Sequence, residues 1–501
     1  MIEFRRFEPH SKALGDIGAF LGIQVEAPAS KIQISGITSN SADVQKGDLF
    51  LAFPGAKTHG GAFLTSAVER GARAVLTDIA GRDLSSGHSL AIPVLVVPNP
   101  RSQSGYLASW FHNSPSADLY LAGITGTNGK TTTTFLLHQI WKEARIDAGM
   151  IGTVGINIGT ESFPATHTTP ESDAIQNILS VMQERHLRAV AMEVSSHALA
   201  LHRVDGTHFR AAGFTNLTQD HLDFHKNMEN YYQAKRELFS PEMSDRAFIN
   251  IDNSYGKRLN DEVSIPVSTL SRENKKATWY YESIFSRGRG FEISIRGEGG
   301  ILIEGAIKFS GEHNLDNLLL AVAIAVDSGV DPLVIGHGLS QLTGAPGRLE
   351  SIDCGQNFIA LVDYAHTPDA VEKVLGSIRN ASVNRVIGVL GCGGDRDSSK
   401  RSLMGRALYE GCDLSIFTSD NPRFEDPGSI LKEMTSEVTL DSKTRVIPDR
   451  KEAITYAVFV AEPGDVVIVL GKGHEMGQEI QGKKLPFSDQ QELRRAIEGK
   501  S

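Results

Sequence analysis

Residues 123–134 read GITGTNGKTTTT, and this stretch decides how the chain folds. The apolar run Leu119-Tyr120-Leu121-Ala122 precedes it and has the character of a strand. A helical pattern over about 132–145 follows. A strand, a glycine-rich turn ending in Gly129-Lys130-Thr131 and a helix together form a phosphate cradle. Backbone N–H groups of Gly126, Thr127, Asn128, Gly129 and Thr132 can close around phosphate oxygens, and the helix N-terminus adds partial positive charge. Lys130 would neutralise the β/γ-phosphates, and the Thr131 hydroxyl would hold Mg²⁺. The turn departs from the commonest G-x-x-x-x-G-K-T form, because Ile124 stands at its first glycine and the glycines fall at 123 and 126. Nucleotide binding is the expectation.

The rest of the composition sets bounds. A chain of 501 residues has room for about three domains. A net charge of −10, without a long Lys/Arg run, argues against a nucleic-acid role. Three cysteines, at 354, 392 and 412, lack metal-ligand spacing and point to a reducing compartment. The opening MIEFRRFEPHSKALGD has no apolar core of a signal peptide, and the longest apolar runs are too short to span a bilayer. A cytoplasmic enzyme that acts as a monomer, without membrane insertion, is expected.

Two breaks divide the chain. Phe111-His112-Asn113-Ser114-Pro115-Ser116 reads as a linker, as does Gly344-Ala345-Pro346-Gly347-Arg348. The resulting blocks are 1–116, 117–344 and 345–501. The first alternates strands (74–76, 94–97) with a helix at 61–70. In the second, 188–192 reads as a buried strand running into Glu193, and 314–328 as an apolar helix. In the third, four apolar strands each end in a polar cluster. Residues 358–362 lead to Asp363-Tyr364-Ala365-His366, and 386–390 to GCGGDRD. Residues 414–417 lead to SDNPR, and 466–470 to GKGHE. Helical stretches between them imply a mainly parallel α/β sheet, whose strand ends would face one crevice.

Glu193, His221 and Lys235 in the second block could serve a second Mg²⁺, a carboxylate being the better donor for that ion. Taken by itself, Lys235 reads as an exposed helix lysine. His197 and His225 read as surface residues.

Eight motifs, in order along nearly the whole chain, resemble the Mur ligase family: GITGTNGKTT, MEVSSHAL, NLTQDHLDFH, YYQAKRELF, GAPGRLE, VDYAHTPDA, GCGGDRD and GKGHE. The resemblance implies an N-terminal α/β domain for the UDP end of the substrate, a central ATPase domain and a C-terminal Rossmann-like domain for an incoming amino acid. Within the family the chain is most similar to ligases that extend UDP-N-acetylmuramoyl-L-alanyl-D-glutamate in peptidoglycan precursor synthesis, with ATP and Mg²⁺ as cofactors. It implies that Lys235 is carbamylated and joins Glu193 and His221 at a metal ion, with Thr131 serving the ion at the β/γ-phosphates. It implies that Ser41, Thr168, Thr169, Ser195 and Arg203 hold the UDP-muramoyl-dipeptide. Asn40-Ser41-Ala42 stands where relatives commonly carry Asp-Ser-Arg, and Leu201 where they often carry Gln. Asn317, Arg348 and Asp363 resemble positions that close over ATP from the central and C-terminal blocks, with closure expected on binding.

The motif Asp420-Asn421-Pro422-Arg423 resembles that of members adding meso-diaminopimelate rather than L-lysine. The chemistry agrees, because a guanidinium pairs with the distal carboxylate of diaminopimelate and repels a lone ammonium. Arg396 and Arg423 would form the cationic clamp, with Gly471 and Glu475 at the distal amino-acid centre. His366 stands as a candidate base for the incoming amine. A folylpolyglutamate-synthase-like ligase and an ATP-hydrolysing regulatory module are the competing readings. The first block and DNPR argue against the former.

Overall fold

The computed structural model describes residues 10–55, 58–84, 92–165, 167–287, 290–309, 311–379 and 384–500. The chain divides into two compact units. One comprises Met1–Ile284, Ile293–Gly305 and Asp316–Ser340, and the other Phe285–Glu292, Ala306–Leu315 and Gln341–Ser501.

The first unit begins with a small parallel sheet ordered Gly36–Thr38, Asp48–Ala52, Ala74–Thr77, Val94–Val96. Its two middle strands are buried along their whole length, as expected of a parallel sheet covered on both faces. Leu107 and Phe111 pack with Leu49 and Leu51 on one side, and Leu64 and Ala67 with Phe50 on the other. The helix expected over 61–70 opens as a 3₁₀ turn, Gly60–Phe63, and continues as Leu64–Arg70.

The expected linker at 111–116 is not an exposed tether. Helix Pro100–Phe111 runs into it, a 3₁₀ turn Pro115–Ala117 follows, and Phe111, His112, Pro115 and Ser116 are buried. Proline and asparagine turn the chain here, but the apolar Phe111 keeps the turn against the core.

The phosphate-loop strand Tyr120–Thr125 lies inside a large sheet, between Ala189–Glu193 and Ala211–Phe214. Ala148–Gly152 flanks the former, and Ala247–Asn250 and Val267–Ser271 continue beyond the latter. All these pairs are parallel, so their carboxyl ends emerge at one edge, where ligands bind in open α/β sheets. Helix Lys130–Glu143 leaves that edge directly from the loop.

The second unit holds a six-stranded sheet ordered Glu350–Ser351, Ile359–Asp363, Val466–Leu470, Val386–Cys392, Leu414–Ser419, Thr444–Val446. Only the first pair is antiparallel. The four strands read from the sequence are therefore contiguous, and their polar tips leave from one edge. Arg450 and Asp489, both fully buried, pair at 2.7 Å. Arg450 also donates to Leu470 O at 2.8 Å and Ser419 O at 3.3 Å. One paired guanidinium thus ties two strand ends together beneath the tips.

Candidate active site

The phosphate loop is preformed. Gly129 adopts a φ of 90°, and a Cβ there would lie 2.2 Å from Asn317 Oδ1, so only glycine fits. Asn317 is buried, and its Oδ1 also accepts from Thr133 Oγ1 at 3.4 Å. Asn128 N donates to Asn216 Oδ1 at 3.0 Å, and Thr215 Oγ1 donates to Asn128 O at 2.6 Å. Thr127 N donates to Asn216 O at 2.9 Å. Residues 215–218, after the neighbouring strand, thereby brace the loop. Lys130 Nζ folds back onto Gly126 O and Thr127 O, at 2.9 and 2.8 Å.

Glu193 is fully buried at its strand end. Its carboxylate accepts from Thr131 Oγ1 at 2.8 Å and from Thr153 N at 2.6 Å. Thr131 Oγ1 and the Glu193 carboxylate are both hard oxygen donors of the kind that Mg²⁺ takes.

Lys235 departs from its reading as an exposed lysine. It is 1 % exposed, because helix Met228–Arg236 also buries Tyr231, Tyr232 and Ala234 and packs this face inward. Its Nζ donates to Gly126 O at 2.8 Å and lies 4.8 Å from the Tyr231 ring centre. Burial, reinforced by the Lys130 cation, pushes its pKa well below the ordinary lysine value.

The histidines are not simply surface residues. His225 is buried, with Nε2 2.9 Å from Ser196 Oγ, and His197 is half-buried against Phe224. The His197 and His221 ring centres are 4.7 Å apart. Burial pushes His221 down to about 4, which keeps its imidazole neutral and able to act as a ligand. His221 itself has a left-handed φ of 55° at the head of the turn Leu222–His225. Thr131 and Glu193 are thus in direct contact, and Lys235 touches the phosphate loop. His221 instead keeps company with other aromatic rings.

The residues expected at the dipeptide form a second cluster. Thr169 Oγ1 donates to Glu193 O at 2.9 Å and accepts from Ser195 N at 3.1 Å. Thr168 Oγ1 lies 3.1 Å from Thr153 Oγ1. Arg203 donates to Thr169 O at 3.2 Å and pairs through Nε with Glu171 at 3.0 Å. Glu171 also pairs with Arg101 at 2.9 Å, and Arg101 donates to Pro54 O. Ser41 itself is half-buried, next to an Asn40 turn in which Ala42 N donates to Asn40 Oδ1. Two residues upstream, the Ser39 N–H and hydroxyl both donate to the buried Asp173 at 2.8 Å. Sequence reading missed Asp173, Glu171 and Arg101. Only Glu171, two residues after Thr169, carried a signal.

In the second unit, Asp363 is buried and accepts from Leu349 N and Ala365 N at 2.7 and 2.8 Å. The Arg348 guanidinium lies 4.7 Å from the Tyr364 ring centre. His366 is exposed, with Nδ1 2.9 Å from Tyr364 O. Asn421 Nδ2 donates to Glu475 Oε2 at 2.9 Å. Gly471 sits over Asp420, a Cβ there lying 2.8 Å from Asp420 Oδ2. Arg423 and Arg396 meet around Gly393, whose Cβ position is 3.1 Å from Arg423 Nη1 and 3.8 Å from Arg396 Cγ. Pro422 O crowds Gly394, fixing the DNPR turn against GCGGDRD. Arg423 is already paired, its Nε 3.2 Å from Glu479. Buried Arg401 bonds Glu425, Glu433 and Gly393 O and so anchors the GCGGDRD loop.

A phosphate loop braced at the edge of a parallel sheet, with a second α/β unit presenting mixed charge at its own strand ends, accords with the ATP-dependent ligases of the amide-forming class. Three models of that class match in order: "Mur ligase family, catalytic domain" over residues 33–102, "Mur ligase middle domain" over 124–325 and "Mur ligase, glutamate ligase domain" over 347–473. The chain belongs to the Mur ligase family and has its three-domain α/β architecture. A UDP-N-acetylmuramoyl-L-alanyl-D-glutamate–2,6-diaminopimelate ligase of Streptomyces coelicolor is 44% identical over 94% of each chain. One of the same name from Streptomyces avermitilis is 42% identical over 98% of this chain and 96% of its own. A solved structure of a ligase of that name superposes with a TM-score of 0.68 at 30% identity, covering 98% of this chain and 99% of its own. Among the described residues, no helix is long and apolar enough to cross a membrane.

Proposed function

We propose that the chain joins meso-diaminopimelate to UDP-N-acetylmuramoyl-L-alanyl-D-glutamate at the expense of ATP. The observation that carries the choice of amino acid is the arrangement of Arg396 and Arg423 around Gly393, close to the Asn421–Glu475 pair. A cationic and an anionic subsite in one loop cluster suit a substrate end bearing both a carboxylate and an ammonium.

The D-glutamate carboxylate oxygen attacks the γ-phosphorus, the bond to ADP breaks, and an acyl phosphate forms. Lys130 would leave its loop carbonyls for the phosphate oxygens as charge shifts toward ADP. Thr168, Thr169, Ser195 and Arg203 would orient the dipeptide, with Ser41 toward the UDP end. The amine of diaminopimelate then attacks the acyl carbon, loses its proton, and expels phosphate to leave an amide. His366 is the proposed acceptor of that proton. Thr131 would hold the Mg²⁺ at the β/γ-phosphates, and Glu193, His221 and carbamylated Lys235 a second one, the ions supplying charge neutralisation at the phosphates. The buried, deprotonation-prone Lys235 amine suits carbamate formation, because only a neutral amine adds to carbon dioxide. Asn317, Arg348 and Asp363 complete the proposed ATP contacts. Domain boundaries near 116 and 344 and a cytoplasmic, monomeric enzyme belong to the same reading.

The Glu479 carboxylate on Arg423 favours keeping L-lysine as the second reading, since it offsets part of the guanidinium charge. The deciding experiment is ATP-dependent phosphate release with the UDP-dipeptide, comparing meso-diaminopimelate with L-lysine. Release with diaminopimelate alone is expected. Release with lysine alone would sink the carboxylate-clamp argument, and release without any amine would sink the ligase reading.

A further inference from the structure

Lys472 lies inside the GKGHE motif, yet its side chain is 0 % exposed. It follows Gly471, whose φ of 109° turns the chain off the end of strand Val466–Leu470. From there its Nζ donates to Asn421 Oδ1 at 3.0 Å and to Glu475 Oε2 at 2.9 Å, and lies 3.8 Å from Asp420 Oδ1. Two of the three ammonium protons are thus held by protein acceptors, and the third faces the Asp420 carboxylate at ion-pair distance.

The consequences reach every anionic or amide group expected at the distal end of the amino acid. Asn421 Oδ1 accepts from both Lys472 and Glu479 N, the latter at 2.9 Å. This fixes the amide orientation, and its Nδ2 then faces Glu475 at 2.9 Å. Burial alone would push the Glu475 carboxyl up, but the Lys472 cation and the Asn421 hydrogen bond hold it below its ordinary value. Glu475 is thereby kept ionised. Lys472, Asn421 and Glu475 thus form one hydrogen-bonded cluster, with the Asp420 carboxyl beside it, and the ionised Glu475 suits an ammonium group.

We propose that Lys472 is a positioning residue that sets both the charge and the geometry of the ammonium subsite, acting through Asn421 and Glu475. The inference rests on the amino-acid assignment made above. Removing the cation would release the Asn421 amide and leave the buried Glu475 carboxylate without its partner, so the subsite would lose its fit to an α-amino acid end.

The test is steady-state phosphate release by full-length Lys472→Met. The KM for meso-diaminopimelate is expected to rise at least tenfold. The KM values for ATP and for the UDP-dipeptide should stay within about twofold, and kcat within about threefold. Equal rises in all three KM values, or an unchanged KM for the amine, would overturn the proposal. Should the single variant fail to fold, Lys472→Met/Glu475→Gln removes both charges together and is compared with Glu475→Gln alone. A higher amine KM is expected in the double variant than in Glu475→Gln alone, because Asn421 is released as well, and equal values would overturn the proposal. The wild type is assayed first with both amines. A wild type using only L-lysine corrects the substrate, and the same comparison then runs with lysine, whose distal ammonium makes the same demand. A wild type inactive with either amine overturns the inference together with the functional reading beneath it, whereas an active wild type confines any failure to Lys472.

Discussion

Thr131 Oγ1 donates a 2.8 Å hydrogen bond to Glu193 Oε2, joining the first turn after the phosphate loop to the end of the neighbouring strand. Both groups are buried, and both are oxygen donors suited to Mg²⁺. Glu193→Gln keeps the shape and removes the charge. Its kcat should fall by about 10²–10³, the range seen when one preorganised electrostatic partner is lost. Phosphate release titrated with Mg²⁺ should also show a higher requirement. An unaltered Mg²⁺ response would remove Glu193 from the metal site.

Lys235 offers a covalent test. Lys235→Ala should abolish turnover, with partial recovery on adding a short-chain carboxylic acid that restores an anionic oxygen. Intact-mass measurement of the wild type in bicarbonate should show the added carbamate mass. Full activity in the alanine variant would rule the carbamate out.

Glu171 pairs with Arg203 on one side and Arg101 on the other. Glu171→Gln should raise the KM for the UDP-dipeptide about tenfold through loss of a charge-assisted pair, leaving the KM for ATP unchanged. If both constants move together, Glu171 is only a structural brace.

Arg423→Ala should raise the KM for diaminopimelate roughly 10–100-fold, the equivalent of one charged hydrogen bond. Activity with L-lysine should be unaffected or improved. Parallel losses with both amines would mean that Arg423 holds the loop and does not read the substrate.

Acid sensitivity should come in part from Asp465. Burial opposes its ionisation, but Arg385 and the Glu462 N–H outweigh that and hold its pKa below the ordinary 3.8. A carboxyl depressed in the folded state contributes stability above its unfolded pKa and loses it as pH falls through the folded value. Asp465→Asn should therefore cost about 1–3 kcal/mol at pH 7 by urea unfolding. The gap to wild type should close progressively below about pH 4. A gap unchanged down to pH 2 would refute the linkage.

The phosphate loop and the four strand tips of the C-terminal sheet were legible because their signals are local. Glycine spacing, a short apolar run and an abrupt polar cluster are encoded within about ten residues each. Seen in sequence, Lys235 and His225 looked exposed, since nothing in a nine-residue helix or a short turn announces which face is buried. The burial of Lys235 comes from the sheet edge 109 residues away, where Gly126 O receives its proton.

What the sequence by itself determined is thus the order of elements, the α/β class and the chemistry available at each strand end. The tertiary structure alone decided which of those groups meet. It set Thr131 against Glu193, Ser39 against Asp173, and Lys472 among Asp420, Asn421 and Glu475. The physical reason is that strand order, and hence the neighbours across a parallel sheet edge, arises from long-range packing, while propensity and turn chemistry act only along the chain. A lysine or carboxylate looks the same in sequence whether it faces water or a partner. Burial, which moves its pKa and fixes its hydrogen bonds, is a property of the folded chain.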